Sequence, residues 1–595
     1  MKTLCLLGVA LLASLTPITS PAFPASDSGD GTFRNPVMWA DVPDLCVIRK
    51  DDTFYMVSTT MHMSPGIPVM RSYDLVNWVI VSYCYSQMET NDACSLKNGR
   101  SDYAAGSWAS NIRYDEKLKR FFVIMACQST GKSYIYSTDN IEKGQWRCDV
   151  VEKCYDPGLL LDGDKRYVIY GQQGHHYREI FVNPTTFQVT LGPEKEWRKV
   201  MSHDGNKNWV EGAHAIKRGD YYYIPVIELR GRRVESVWRG KDINDPASWE
   251  VRKIFDGDIR DKDGKVILPS SGVAQGGLVD TADGKWYALL FQDLGAVGRA
   301  PVLIPVEWTD DGWPVLGKDG KSVDEILPMP VKVKSAKTDI VTSDEFNNGP
   351  TRHIFAASEV GSGITAGLPL KKISALAKAD SKDELNQLVA QNEYGYNGSN
   401  LKLQWQWNHN PNNNLWSLTE RKGSLRLKSG LLSRTIRDAR NTLTQRTFGP
   451  TCSGSTALDV SQMRDGDVAG ISAFQNQYGF VGVKMENGTK SLIMHRATKK
   501  GDAAGQVIES VPLKQKVVYL KVDCDFGYKL KDKASFFYSL DGKTWTKIGD
   551  ELKMVYDWPD FMGYRLALFY YSTANLGGCV DFDFFHVSSE ITTAQ

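Results

Sequence analysis

Three acidic residues share one register in a chain of 595 residues. Counting back eleven positions from Tyr55, Tyr167 and Tyr222 gives Asp44, Asp156 and Glu211. Each aromatic follows a short polar turn: Asp51-Asp-Thr-Phe-Tyr55, Asp162-Gly-Asp-Lys-Arg-Tyr167 and Lys217-Arg-Gly-Asp-Tyr-Tyr222. Carboxyl groups brought together raise one another's pKa, which lets one act as acid while another stays a base. Three such groups in one place are costly unless they have a task, and carboxyl groups of shifted pKa are what general acid–base chemistry uses. Turn chemistry often places Asp or Glu before a strand, but it does not produce the same offset three times.

The same turn occurs twice more, as Lys117-Leu-Lys-Arg-Phe-Phe122 and Asp283-Gly-Lys-Trp-Tyr287. From Tyr55 to Tyr287 the aromatics follow one another at 67, 45, 55 and 65 residues. Short apolar runs precede and follow most of the turns, as in Leu45-Cys-Val-Ile48, Leu159-Leu-Leu161 and Ala288-Leu-Leu290. Strand, tight turn and strand, with little helical periodicity between, predict an all-β chain whose first part is a five-bladed β-propeller. Equivalent positions at the start of each innermost strand converge on the propeller axis. The eleven-residue offset places Asn111 and Gly276 there in the two remaining blades.

Composition narrows the function. Lys and Arg number 71 against 70 Asp and Glu, and no long basic run occurs, so a nucleic-acid partner is not expected. Lys2, the apolar stretch Leu4 to Leu15 and the small residues up to Ala25 read as a signal peptide over 1–25. Export to the periplasm or the outside follows, and no segment reaches the ~20 apolar residues of a membrane span. Nine cysteines remain beyond Cys5, an odd number, with no zinc spacing. Local bridges Cys84/Cys94 or Cys148/Cys154 are conceivable by spacing, but most of these thiols are expected to be buried and inert.

Several motifs then stand in order: Asn35-Pro-Val-Met-Trp-Ala-Asp-Val-Pro-Asp44, Met56-Val-Ser-Thr-Thr-Met-His-Met-Ser-Pro-Gly66, Ser72-Tyr-Asp-Leu-Val-Asn-Trp78, Gly106-Ser-Trp-Ala109 and Tyr155-Asp-Pro157. They continue with Trp209-Val-Glu-Gly-Ala-His214, Gln275-Gly-Gly-Leu-Val-Asp280, Gly298-Arg299 and Asp311-Gly-Trp-Pro314. Together they resemble glycoside hydrolase family 43, inverting exo-enzymes that release arabinofuranose or xylose from plant polysaccharides. Leu403-Gln-Trp-Gln-Trp-Asn-His-Asn-Pro411 and Asp581-Phe-Asp-Phe-Phe585 resemble the concanavalin-like β-sandwich that follows the propeller in many members. The expected division is a propeller over 33–322, a Pro- and Lys-rich join over 323–338 and a sandwich over 339–589.

The resemblance makes Asp44 the general base, Glu211 the general acid and Asp156 the carboxylate that tunes the acid and orients the sugar. It makes Arg299, Trp108, His62 and Gln275 the candidate substrate-binding residues. Trp108 reads equally as an ordinary core Trp, and His62 and His214 as structural histidines. Three features depart from the family pattern. Gln275 stands where many members have a His beside a bound calcium or water, so no cofactor or metal ligand is expected and a structural calcium at the axis is left open. Gly212 and Ala213 follow Glu211 where proline is common. An insertion at about 348–396 includes Ser381–Gln391, whose N-cap Ser, acidic first turn and apolar spacing predict a helix.

The function implied is an exo-acting inverting glycosidase releasing terminal α-L-arabinofuranose or β-D-xylose from hemicellulose side chains or oligosaccharides. The alternative is a non-catalytic carbohydrate-binding propeller, which a missing carboxylate would favour. A retaining fructosidase type would need a different acid motif, and an endo-arabinanase an open groove. The oligomeric state is not legible.

Overall fold

The computed structural model describes residues 23–592 apart from 207–208, 269–271, 350–392, 394–396, 499–503, 529–530 and 557–559. Residues 1–22 of the expected leader and the helix expected over Ser381–Gln391 therefore lie outside the described residues. Phe23, counted with the leader on sequence, packs its ring 5.2 Å from that of Phe448.

Five antiparallel sheets follow one another in the first part of the chain. Their innermost hairpins are the five turns read from sequence. Cys46–Lys50 pairs with Thr53–Val57, Ser107–Asp115 with Arg120–Cys127, and Gly158–Asp162 with Lys165–Gln172. Ile216–Arg218 pairs with Tyr221–Arg230, and Val273–Asp280 with Trp286–Asp293. The tightest turns enclose two residues and need positive φ, supplied by Asp51 at 54°, Gly163 at 60° and Gly219 at 59°.

The ring closes where the last blade meets the first. Arg49 of the first inner strand pairs with Asp280 of the last, Nη2 to Oδ2 at 2.5 Å. Thr32–Arg34 joins Ile326–Pro328, and Asp258–Arg260 runs parallel to Ser322–Asp324. Residues 322–328, expected at the end of the propeller and in the join, are thus strands of the closure.

The second part is a sandwich of an eight-stranded and a nine-stranded sheet. Leu425–Lys428 alternates buried and half-buried residues, as a strand with one face in the core must. Trp405, Trp407 and Trp416 are buried in this core rather than spread over a sugar-binding face. The eight-stranded sheet does not end within the sandwich: Gln406–Asn408 pairs with Met63–Ser64 of the propeller. One hydrophobic core accordingly runs from Phe33, Trp39 and Leu294 to Trp405, Phe448 and Tyr564.

The nine cysteines from Cys46 to Cys579 are free thiols, so neither local bridge forms. Burial pushes the Cys148 and Cys154 thiols up to about 12, which keeps them protonated and unreactive. Cys452 faces Cys524 across two neighbouring strands, a proximity that spacing did not suggest.

Asp41 fastens the two parts beside the propeller axis. Its Oδ1 accepts the Arg299 backbone N–H at 2.9 Å, and its Oδ2 accepts that of Gly563 in the sandwich at 3.0 Å. Asp41→Asn turns one acceptor into a donor facing a buried N–H. It should lower stability by about 1–3 kcal/mol, measured by urea unfolding followed through Trp fluorescence.

Candidate active site

The inner strands deliver Asp44, Asp156 and Glu211 to one cavity of about 690 Å³ on the propeller axis. Asp44 and Asp156 each stand two residues before an inner strand, with φ of 49° and 45°. Side chains rarely adopt this left-handed backbone, Asp being among the more tolerant, and here it turns the carboxylates towards the axis. Glu211 arrives differently. Its inner strand is split, Trp209–Glu211 being separated from Ile216–Arg218, so the residue closes a strand segment instead of preceding one. Asn111 and Gly276 lie within their strands, beside irregularities in pairing.

Asp44 is 6% exposed and is held on both oxygens. Thr59 Oγ1 donates to Oδ2 at 2.8 Å, and Arg299 Nη1 to Oδ1 at 2.7 Å. Arg299 opens the strand Arg299–Trp308 and also donates from Nη2 to the carbonyl of Phe561 at 3.0 Å. Burial works most strongly against its charge, but Asp44 together with Tyr556, Asp41 and Asp293 outweighs burial and keeps the guanidinium protonated. One cation thereby pairs with Asp44 and anchors a loop of the sandwich.

Asp156 and Glu211 form a coupled pair of acids. Burial, followed by the charges of Glu211 and Asp44, pushes Asp156 well above the carboxylate range. Glu211 is also raised, chiefly by burial, while donors from Gln172, Trp209 and Tyr155 pull it back. The pair retains protons to higher pH than ordinary carboxyl groups, as a general acid requires.

Aromatic rings wall the cavity. Trp108 lies against Tyr155 at 5.9 Å and against Phe561 at 5.5 Å, both between ring centroids. Tyr556 and Phe561 come from the sandwich and complete one side, and Trp209, Arg232 and Arg233 line it from the fourth blade. Gln275 lines the cavity at a φ of 63°, its side chain against Gly212.

His62 does not line the cavity. It lies behind Met61, its ring 4.6 Å from Tyr103 and 4.8 Å from His409, and burial depresses its pKa so that it stays neutral. A substrate contact from His62 is therefore corrected to a packing position at the domain junction. His214 is also buried, its Nδ1 facing the Asn111 amide at 3.3 Å and its pKa lowered to about 3 by burial.

The described residues contain no group of three His, Cys, Asp or Glu able to hold a metal. Near the axis, Asn111 and His214 engage each other, and burial drives Glu235 well above the carboxylate range.

A ring of blades with three carboxyl groups, one neutralising arginine and an aromatic-walled well defines a glycoside hydrolase. Residues 33–314 match glycosyl hydrolases family 43, and 393–588 match the β-xylosidase C-terminal concanavalin A-like domain. The chain belongs to glycoside hydrolase family 43. It is 25% identical to a β-xylosidase of Formosa agariphila, over 94% of this chain and 90% of that one. It is 26% identical to a non-reducing-end α-L-arabinofuranosidase of Bacteroides ovatus, over 87% of this chain and 88% of that one. A solved structure described as a bifunctional GH43-CE protein of Bacteroides eggerthii is 40% identical, with a TM-score of 0.76. That match covers 94% of this chain, and the chain spans 64% of that protein's length.

Sequence reasoning missed Gln172, Tyr556 and Phe561 as parts of the site. The last two lie more than 250 positions from Arg299 in the chain, and no local pattern announces them. Phe561→Ala keeps the carbonyl that receives Arg299 but removes the ring. It should cut kcat/KM about 10-fold, mainly through KM, in steady-state assays with unchanged circular dichroism.

Proposed function

We propose that the protein is an exo-acting, inverting hydrolase that releases a terminal pentose, α-L-arabinofuranose or β-D-xylose, from hemicellulose side chains or oligosaccharides. The observation that carries this is the convergence of Asp44, Asp156 and Glu211 on a well that the sandwich closes on one side. A well closed in this way receives a chain end and does not let a polymer thread through it. The apolar stretch Leu4 to Leu15 fits an enzyme acting in the periplasm or outside the cell.

Asp44 and Glu211 come from the first and fourth of the five blades, which are not neighbours. Carboxyl groups held apart across a sugar leave space for water on one side and the leaving oxygen on the other, the arrangement of inversion. Asp44, with Arg299 on Oδ1 and Thr59 on Oδ2, takes the proton of that water as it attacks the anomeric carbon. Glu211 gives its proton to the departing oxygen, and Asp156, facing the same cavity, orients the sugar. The relatives named for β-xylosidase and α-L-arabinofuranosidase support either pentose.

The test is hydrolysis of 4-nitrophenyl α-L-arabinofuranoside, 4-nitrophenyl β-D-xyloside, xylobiose and arabino-oligosaccharides. Wild type should release single pentoses, and Asp44→Ala and Glu211→Ala should each lose about 10²–10⁴-fold on oligosaccharides. Asp156→Asn keeps the side chain's size but removes an acid from the well, and should lower kcat about 10-fold or more in the same assays. A wild type silent on all four substrates would overturn the reading in favour of a carbohydrate-binding propeller.

A further inference from the structure

We infer that Trp209, Gln172 and Tyr155 clamp Oε2 of Glu211, leaving Oε1 as the oxygen that carries the transferred proton. The inference rests on Glu211 being the general acid. Trp209 Nε1 donates to Oε2 at 2.8 Å, Gln172 Nε2 at 3.1 Å and Tyr155 OH at 3.3 Å. All three donors converge on one oxygen. Gln172 Nε2 also donates to the Tyr155 hydroxyl at 2.8 Å, which turns that hydroxyl's own proton towards Glu211. An oxygen that accepts three hydrogen bonds is the carbonyl oxygen of the protonated acid, so the O–H belongs to Oε1.

The clamp is built on rigid backbone. Trp209 and Glu211 are two apart on one strand and therefore face the same side. Gln172 ends the strand Lys165–Gln172, and the next N–H, of Gln173, donates to the Val210 carbonyl at 3.0 Å, between Trp209 and Glu211. Gly171 makes the approach possible: its φ is 141°, and a Cβ there would meet the Gly174 carbonyl oxygen at 2.4 Å. Its N–H donates to the Tyr155 carbonyl at 2.9 Å. Three neighbouring segments are thereby locked around one carboxyl group.

The chemical consequence lies in the charge that develops as the proton leaves. Oε1–H donates its proton to the departing oxygen, the O–H electrons remain on Glu211, and the new carboxylate is met by three preset donors. Such donors bind an anion more strongly than a neutral acid, so they stabilise the transition state without rearrangement. Trp209, Gln172 and Tyr155 are thus positioning residues acting through Glu211. The other charges facing Glu211 are Asp44, Asp156, Arg299, Arg232 and the Arg233–Asp293 pair, with Tyr556 nearby, and the test leaves them in place.

The test compares Trp209→Phe, Gln172→Leu and Glu211→Ala on the methyl and 4-nitrophenyl glycosides of arabinofuranose and xylose, across pH. A methyl leaving group needs protonation, whereas 4-nitrophenolate departs with little help. The two clamp variants should lose roughly 10-fold or more in kcat on the methyl glycoside and only a few-fold on the 4-nitrophenyl one. Removing donors disfavours the Glu211 anion and raises its pKa, so the alkaline limb should move to higher pH. Equal losses on both glycosides with an unmoved limb, or no loss at all, would overturn the clamp. Glu211→Ala separates this from failure of the functional reading: a variant as active as wild type on the methyl glycoside would remove Glu211 itself from the role of acid.

Discussion

Arg299 bonds at once to Asp44, to the Phe561 carbonyl and, through its backbone N–H, to Asp41. A buried carboxylate without a cation or hydrogen bonds would take up a proton and cease to be a base. The guanidinium supplies such a cation to Asp44, within a well that also holds two further acids. Because the same group grips the sandwich loop, the charge balance of the propeller and the closure of the well depend on one side chain. Asp41 repeats the arrangement one layer further out, joining the backbones of both parts.

The acids divide the remaining work by environment. Asp156 and Glu211 are both raised by burial, but only Glu211 receives three side-chain donors on one oxygen. Burial thus favours the protonated form of both, and the donors favour the anion at Glu211. Trp108, Tyr556 and Phe561 surround these groups with apolar surface, which strengthens each electrostatic contact by excluding water. The ring of blades supplies fixed origins for the acids, and the sandwich supplies the wall that turns a depression into a pocket.

Much of this was legible in the chain because hairpins are local. Two-residue turns such as Gly163-Asp164 and Gly219-Asp220 announce themselves by their demand for positive φ, and they set the spacing that led to Asp44 and Asp156. Glu211 was found by the same count although its strand is interrupted, the break at Gly212–Ala215 preserving the offset. What the count could not foresee lies across long stretches of chain. Phe561 and Tyr556 reach the well through contacts between the two parts, among them those of Gly563 with Asp41 and of the Phe561 carbonyl with Arg299. His62 misled for a related reason: it follows Met61, which does line the cavity, but its own ring packs against Tyr103 and against His409, more than 300 positions away. Gln172 carries no signal of its own, since a single Gln at a strand end is ordinary.

The anomeric form of the sugar first released tests the division of roles most directly. Proton NMR during the first minutes of turnover should show α-xylose from a β-D-xyloside, or β-arabinofuranose from an α-L-arabinofuranoside, before mutarotation mixes the forms. That outcome means water, deprotonated by Asp44, attacks opposite the bond protonated by Glu211. Release of the sugar with its starting configuration would mean a covalent intermediate on one of the carboxylates, and would contradict Asp44 as the base.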